Sequence, residues 1–225
     1  MCGRYVNKLG EVQYSFFEIN DIRIEWRPRY NIAPTVEIPV VRQVEPGHRE
    51  LVGMRWGLRP SWATPEKKLP PLHNAREDTV AKLPSFRSAF KTRRCLVPAS
   101  GYFEWAKATK QPYYFERKDG FPMAFAAIWE HNKDVGDTVS TITTVPNGEA
   151  SRIHDRMPVI LRREFWPRWF DPSPLTDEER EKMLVPAPDG ALNIWPVTRA
   201  VGNSRNEGSE LILPISGDEI GTDAP

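Results

Sequence analysis

The chain has 225 residues, 40% hydrophobic and 27% charged, which suits a globular protein and makes one domain the first expectation. Its 31 basic and 30 acidic residues leave a net charge of +1, which excludes a globally basic nucleic-acid binder but not a local basic face. Two cysteines, Cys2 and Cys95, exclude a disulfide framework and a zinc-ribbon spacing and point to a reducing, cytoplasmic setting, and no apolar run reaches membrane length or follows Met1 as a signal peptide would.

Met1-Cys2-Gly3-Arg4 opens the chain. A small side chain at position 2 favours removal of the initiator methionine, which would leave Cys2 with a free α-amine and a free thiol on neighbouring carbons. Their ordinary pKa values, about 7.7–8.0 and about 8.5, leave both nucleophilic forms populated near neutral pH. The amine can form a Schiff base with an aldehyde, and the thiol can then close a five-membered thiazolidine. Alternatively the thiolate attacks an amide carbonyl with the amine as base. The plainer reading is a small residue behind a start codon.

Val12, Phe16 and Ile19 fall at helical spacing and predict a short amphipathic helix over 11–19. Arg29 to Thr35 reads as a loop entering a strand, with Asn31 and Pro34 inside it. Apolar, β-branched stretches at 36–44 and 51–56 around Glu45-Pro46-Gly47-His48 predict a hairpin. Trp56 to Trp62 is rich in turn formers and aromatics, and 64–71 is an exposed loop. His73 to Thr79 leads into a helix-like segment broken at Pro84 and resumed over 86–94, where Arg87, Lys91, Arg93 and Arg94 make it basic. Strands are predicted at 95–99, 101–106, 112–117, 123–130 and 138–145. Thr176-Asp177-Glu178-Glu179 is a capping box opening a helix to about Leu184. Trp195 to Val197 is a last strand, and 216–225 is a small, acidic, disordered tail. Short strands, 22 prolines and few helices predict an α+β domain over 1–215 on a strongly twisted, barrel-like antiparallel sheet.

Glu104 lies between large aromatics in Tyr102-Phe103-Glu104-Trp105. Strand alternation would turn Glu104 and Tyr102 to water. The functional alternative is a desolvated carboxyl with a raised pKa, fit to exchange protons. His154, in a polar turn with Asp155 and Arg156, is a candidate acid or base, or else a surface histidine. Asn74 can hold a carbonyl or hydroxyl, and Arg76 suits phosphate. Arg4, Arg76, Arg87, Arg93 and Arg94, with Lys91, would form a phosphate-binding face if the fold gathers them, with Trp62 and Trp56 available to stack on bases. A solvated basic face and core tryptophans are the plainer reading.

Together these stretches resemble the SRAP domain, named for SOS-response-associated peptidase. The resemblance rests on Met1 to Arg4, Arg29 to Pro34, Trp56-Gly57-Leu58 with Trp62, Asn74-Ala75-Arg76, Gly101 to Trp105, His154 to Pro158 and Val201-Gly202-Asn203, in family order over roughly 2–215. One departure is Asp78, where the family's Asn-Ala-Arg-x-Glu-Thr has its second acidic residue. The resemblance implies a monomer, with no cofactor and no metal, that cross-links to abasic sites in single-stranded DNA. Cys2 would supply amine and thiol, Glu104 would manage protons at the amine, His154 would protonate the sugar ring oxygen, and Asn74 would hold the sugar or the thiazolidine. Arg4 and Arg76 would grip phosphates and Trp62 would meet neighbouring bases. β-Elimination and release of Met1 are implied side activities. The rival classes are an N-terminal-nucleophile amidohydrolase and a non-catalytic single-strand binder. Neither an ammonia-using second domain nor a glutamine-binding arrangement is evident for the first.

Overall fold

The computed structural model describes residues 2–216. Of the predicted tail, 217–225 lies outside the described residues. The strands in chain order are β1 (Tyr5–Asn7), β2 (Asp21–Ile22), β3 (Arg29–Ile32), β4 (Glu37–Glu45), β5 (His48–Trp56), β6 (Asn74–Arg76) and β7 (Arg94–Ala99). They continue as β8 (Gly101–Trp105), β9 (Pro112–Arg117), β10 (Met123–Asn132), β11 (Gly136–Thr144), β12 (Met157–Pro158) and β13 (Leu192–Pro196). Four short helices join them: α1 (Glu11–Tyr14), α2 (Arg87–Thr92), α3 (Trp166–Phe170) and α4 (Asp177–Met183).

The larger sheet runs β12-β11-β10-β7-β4-β5-β2 and curls until β5 pairs in parallel with β11 (Arg55 with Thr138, Trp56 with Val139). Strands β11, β10, β7, β4 and β5 thus form a closed ring, the barrel-like core expected of the sequence. The smaller sheet, β13-β9-β8-β1-β3, is antiparallel throughout. One of its faces shares a core with the ring, in which Tyr5, Tyr102 and Phe115 pack with Val40, Trp56, Val97 and Phe125. Its other face holds Phe103 and Tyr114 against Val197 and Val201. β7 is buried on both faces: Cys95, Val97 and Ala99 enter the shared core, while Leu96 faces a second cluster with Phe90, Trp166 and Trp169. Each such ring, fully buried, contributes roughly 1.5–3 kcal/mol.

The hairpin β4–β5 turns on Pro46 and Gly47, and Gly47 at φ 78° takes a left-handed conformation that a side chain resists. Gly101 is required by close approach: a Cβ there would lie 2.4 Å from the Phe115 carbonyl and from the Tyr114 hydroxyl, so only glycine lets β8 begin against β9. The capping box at α4 forms as predicted, with the Thr176 hydroxyl accepting from the Glu179 amide at 3.2 Å and the Glu179 carboxylate accepting from the Thr176 amide at 2.7 Å. It contributes about 1 kcal/mol.

Three local expectations are corrected. The helix at 11–19 stops at Tyr14, passes into a 3-10 turn over Ser15–Phe17 and ends at Glu18, φ 54°. Its inward residues are Tyr14 and Phe17, while Val12 is 82% exposed. The stretch after His73 contains β6 and turns, with helix only over Arg87–Thr92, and Arg94 already belongs to β7. Trp56 is core: its indole N–H donates to the His73 carbonyl at 2.9 Å, so it is unavailable to a base.

Candidate functional site

The chain segment before β1 runs Cys2 into the end of the shared core, where it is 3% exposed. β6 adds in parallel to β11, with Asn74 beside Thr141. The Thr141 hydroxyl donates to Asn74 Oδ1 at 2.6 Å, which fixes the amide orientation and aims Nδ2 at Cys2. That nitrogen donates to the Cys2 carbonyl at 2.6 Å.

Strand alternation on β8 turns Tyr102 and Glu104 to the face that carries Cys2, not to water. Glu104 is 2% exposed, and burial pushes its carboxyl up from the ordinary 4.5 to about 8. Its Oε1 and the hydroxyls of Tyr5 and Tyr102 have no hydrogen-bond partner among the described residues, a setting that favours the neutral acid over the carboxylate. Burial pushes the Cys2 thiol well above its ordinary value.

His154 follows a 3-10 turn over Ala150–Arg152, and its amide donates to the Ala150 carbonyl at 2.9 Å. Its Nε2 lies 3.8 Å from Glu104 Oε2, and its Nδ1 accepts from the Arg156 amide at 3.2 Å. Burial lowers its pKa in spite of the Asp155 carboxylate nearby. Burial therefore acts oppositely on the two groups, so near pH 7 the proton resides on Glu104 and the imidazole is neutral.

A clamp the sequence reading passed over locks this arrangement. The buried Arg156 guanidinium pairs with Glu77 and donates to the Thr143 carbonyl, also reaching the Thr143 hydroxyl at 3.2 Å. It ties the turn after Asn74 to the loop bearing His154. Arg156 stood in the same motif as His154, and the hydroxyl-rich buried run of β11 was the available signal for Thr141.

Cys2, Asn74, Glu104 and His154 thus come together; the cationic candidates are dispersed. Arg4 donates to Asn31 Oδ1 at 2.7 Å and to the Val201 carbonyl at 2.8 Å. Asn31 in turn donates to the carbonyls of Asn203 and Asn206, so both residues hold the 199–206 turn. Arg93 pairs with Glu130 at 2.8 Å. Arg87 is exposed on α2 and lines a cavity with Lys91 and Arg180 that includes no residue of the Cys2 cluster. Arg76, exposed and two residues from Asn74, has its guanidinium on the Asp78 carboxylate at 3.3 Å. Pro34 is half-buried in a turn whose Thr35, at φ 79°, borders a cavity of about 500 Å³ with Arg55 and Arg59. Trp62 is 47% exposed beneath the Lys67 ammonium, 4.5 Å from its ring centre. Among the described residues no group of three or more His, Cys, Asp and Glu side chains is placed to hold a metal ion, and no helix is long and apolar enough to cross a membrane.

Residues 1–204 match the family model described as SOS response associated peptidase (SRAP). The abasic site processing protein YoaM of Bacillus subtilis (strain 168) is 32% identical over 229 residues, covering 94% of this chain and 97% of that protein. The abasic site processing protein YedK of Escherichia coli (strain K12) is 32% identical over 228 residues, covering 96% and 100%. A crystal structure of a protein from Bacteroides thetaiotaomicron superposes with a TM-score of 0.82 at 25% identity, covering 96% of this chain and 100% of that one.

Proposed function

The chain belongs to the SRAP family, and from that premise we propose that it processes abasic sites in single-stranded DNA by covalent capture through Cys2 once Met1 is removed. The observation that carries this reading is the convergence on Cys2: Asn74 on its carbonyl at 2.6 Å and the buried acid Glu104 with His154 3.8 Å away.

The α-amine attacks C1′ of the ring-opened deoxyribose, forming the N–C bond while one amine proton passes to the oxygen. Glu104 gives its proton as that oxygen departs as water, leaving an iminium. The Cys2 thiol adds to the iminium carbon and its proton returns to Glu104, so aminothiol and aldehyde become thiazolidine and water. His154, a neutral imidazole, relays the proton to the sugar ring oxygen when the ring opens. Asn74 holds the reacting residue in place, which supplies orientation rather than acidity. β-Elimination at the iminium competes as a lyase side reaction.

Because burial holds the thiol protonated, the amine leads and sulfur follows. A thiolate-first attack on an amide, as an amidohydrolase requires, lacks this support. Trp62 and Arg76 are the open aromatic and cation on the DNA path, and Asp78 must release Arg76 for it to meet phosphate. Arg4 and Asn31 support the path by holding its wall. Cys2 and Cys95 are free thiols, which fits a reducing cytoplasm.

The test is a denaturing gel with a uracil-containing oligonucleotide treated with uracil glycosylase. A heat-stable shifted band that vanishes in Cys2→Ala is expected, with an intact mass showing loss of one water. A band that persists in Cys2→Ala, or reversible salt-sensitive binding alone, refutes the reading.

A further inference from the structure

An ion pair at the surface joins the end of β8 to the loop that carries His154. Lys107 lies just past β8, in a turn closed by the Ala106 amide on the Gln111 carbonyl and the Lys110 amide on the Ala106 carbonyl, each at 2.9 Å. Its ammonium donates to Asp155 Oδ2 at 2.7 Å. The other oxygen of that carboxylate, Oδ1, lies 3.3 Å from His154 Nδ1. Lys107, Asp155, His154 and Glu104 therefore form one row, passing from solvent to the buried acid.

Exposed ion pairs contribute little to stability, because water screens both charges. This one has a third member. In the resting imidazole Nδ1 accepts from the Arg156 amide, so the ring proton is on Nε2, the nitrogen that faces Glu104. To pass that proton to a sugar oxygen the ring must take up another, and it then goes through its charged form. A proton arriving on Nδ1 meets two acceptors already in place, Asp155 Oδ1 and the Arg156 carbonyl, each at 3.3 Å. The Lys107 ammonium holds the Asp155 carboxyl below the ordinary carboxylate range, so it is ionised wherever the imidazole titrates. Burial disfavours the imidazolium, the Asp155 charge favours it, and the Lys107 charge opposes it in turn.

The other charges around the ring are the same in every variant below. Glu104 of β8 stands at 3.8 Å, and the Cys2 α-amine is added once Met1 is removed. The Arg156 guanidinium is taken by Glu77 and the Thr143 carbonyl, and Arg152, two residues before His154, is exposed.

We propose that Asp155 is a positioning residue for His154, the counter-charge against which the imidazole takes up and releases its proton, and that Lys107 sets how strongly that counter-charge acts. Its bearing on rate rests on the proposed capture of abasic DNA; its bearing on the imidazole does not.

In the experiment, the imidazole Cε1–H signals of protein freed of Met1 are followed by NMR from pH 5 to pH 9, with His154→Gln identifying one signal among the four histidines. Asp155→Asn removes the counter-charge and should move the His154 midpoint down by about half a pH unit; Lys107→Met unmasks it and should move the midpoint up by about 0.3 unit. A bridge that merely held the loop would respond alike to both variants, since each breaks it. Single-turnover cross-linking of an abasic single-stranded oligonucleotide is measured over the same range. The limb of its pH profile that His154→Gln abolishes should move with the NMR midpoint, and 1 M salt should shrink both displacements. Midpoints displaced in the same direction by both variants, or by neither, overturn the proposal. Opposite displacements with unmoved rate profiles overturn its part in the reaction. Absence of cross-linking by the unsubstituted protein at every pH overturns the capture instead, and the NMR midpoints then decide the coupling alone.

Discussion

Glu104→Gln keeps the size of the side chain and removes its titration. In the folded protein burial raises this carboxyl from the ordinary 4.5 to about 8. Between those values the native state binds a proton that the unfolded state has released, so folding stability falls as pH rises through that window. At about 1.4 kcal/mol for each pH unit, the rise sets a ceiling of roughly 5 kcal/mol, and relaxation around a buried charge leaves about 2–3 kcal/mol to be seen. Urea unfolding at pH 5, 6, 7 and 8 measures it. The unsubstituted protein should lose stability across the series, and Glu104→Gln should stay nearly flat and be the more stable of the two at pH 8. Parallel pH dependence in both would mean that Glu104 is ionised in the fold, and the proton would then have to be sought elsewhere. The window belongs to the chain that carries Met1. An ammonium on Cys2 after its removal would lower the carboxyl and move the loss of stability to lower pH, so intact mass should accompany each titration.

Thr141→Val should leave Asn74 Oδ1 without its donor, cost about 1–2 kcal/mol in urea unfolding and slow cross-linking several-fold while DNA affinity holds. Arg156→Met should destabilise by about 3–5 kcal/mol by stranding Glu77, and adding Glu77→Gln should restore part of that; a double-mutant cycle with no coupling would contradict the clamp. Trp62→Ala should weaken single-strand binding by about 1–3 kcal/mol in fluorescence titration and leave unfolding unchanged, since the ring is half in solvent.

The sequence was most legible where local chemistry decides. The capping box at Thr176, the strand runs from 95 to 144 and the hairpin on Gly47 are written in turn residues and alternation, and they stand in the fold. Residues 11–19 were less so, because the partner surface buries Tyr14 and Phe17, packs Phe16 and Ile19 at its edge and leaves Val12 in solvent. The barrel-like core could be expected, but the pairing that closes it could not: it is a parallel match of Arg55 and Trp56 with Thr138 and Val139, which leaves no local trace. At the site, the reactive types were visible and their companions were not. Glu104 could be singled out, but only packing settles that its face is the dry one. Which arginines are engaged is likewise invisible, because Arg4 is met by carbonyls of the 199–206 turn.

The ring closure also has a consequence in time. Asn74 meets Cys2 across 72 positions of sequence, and Glu104 and His154 lie further along the chain still. Contacts of such separation form late, because the loop entropy of each must be overcome before its packing is gained. On the proposed function, a nascent or unfolded chain freed of Met1 carries the same aminothiol without the acid, the amide or the imidazole that would direct it. The fold would then arm the residue, and reactivity toward aldehydes before folding should be no greater than that of a short peptide beginning with cysteine.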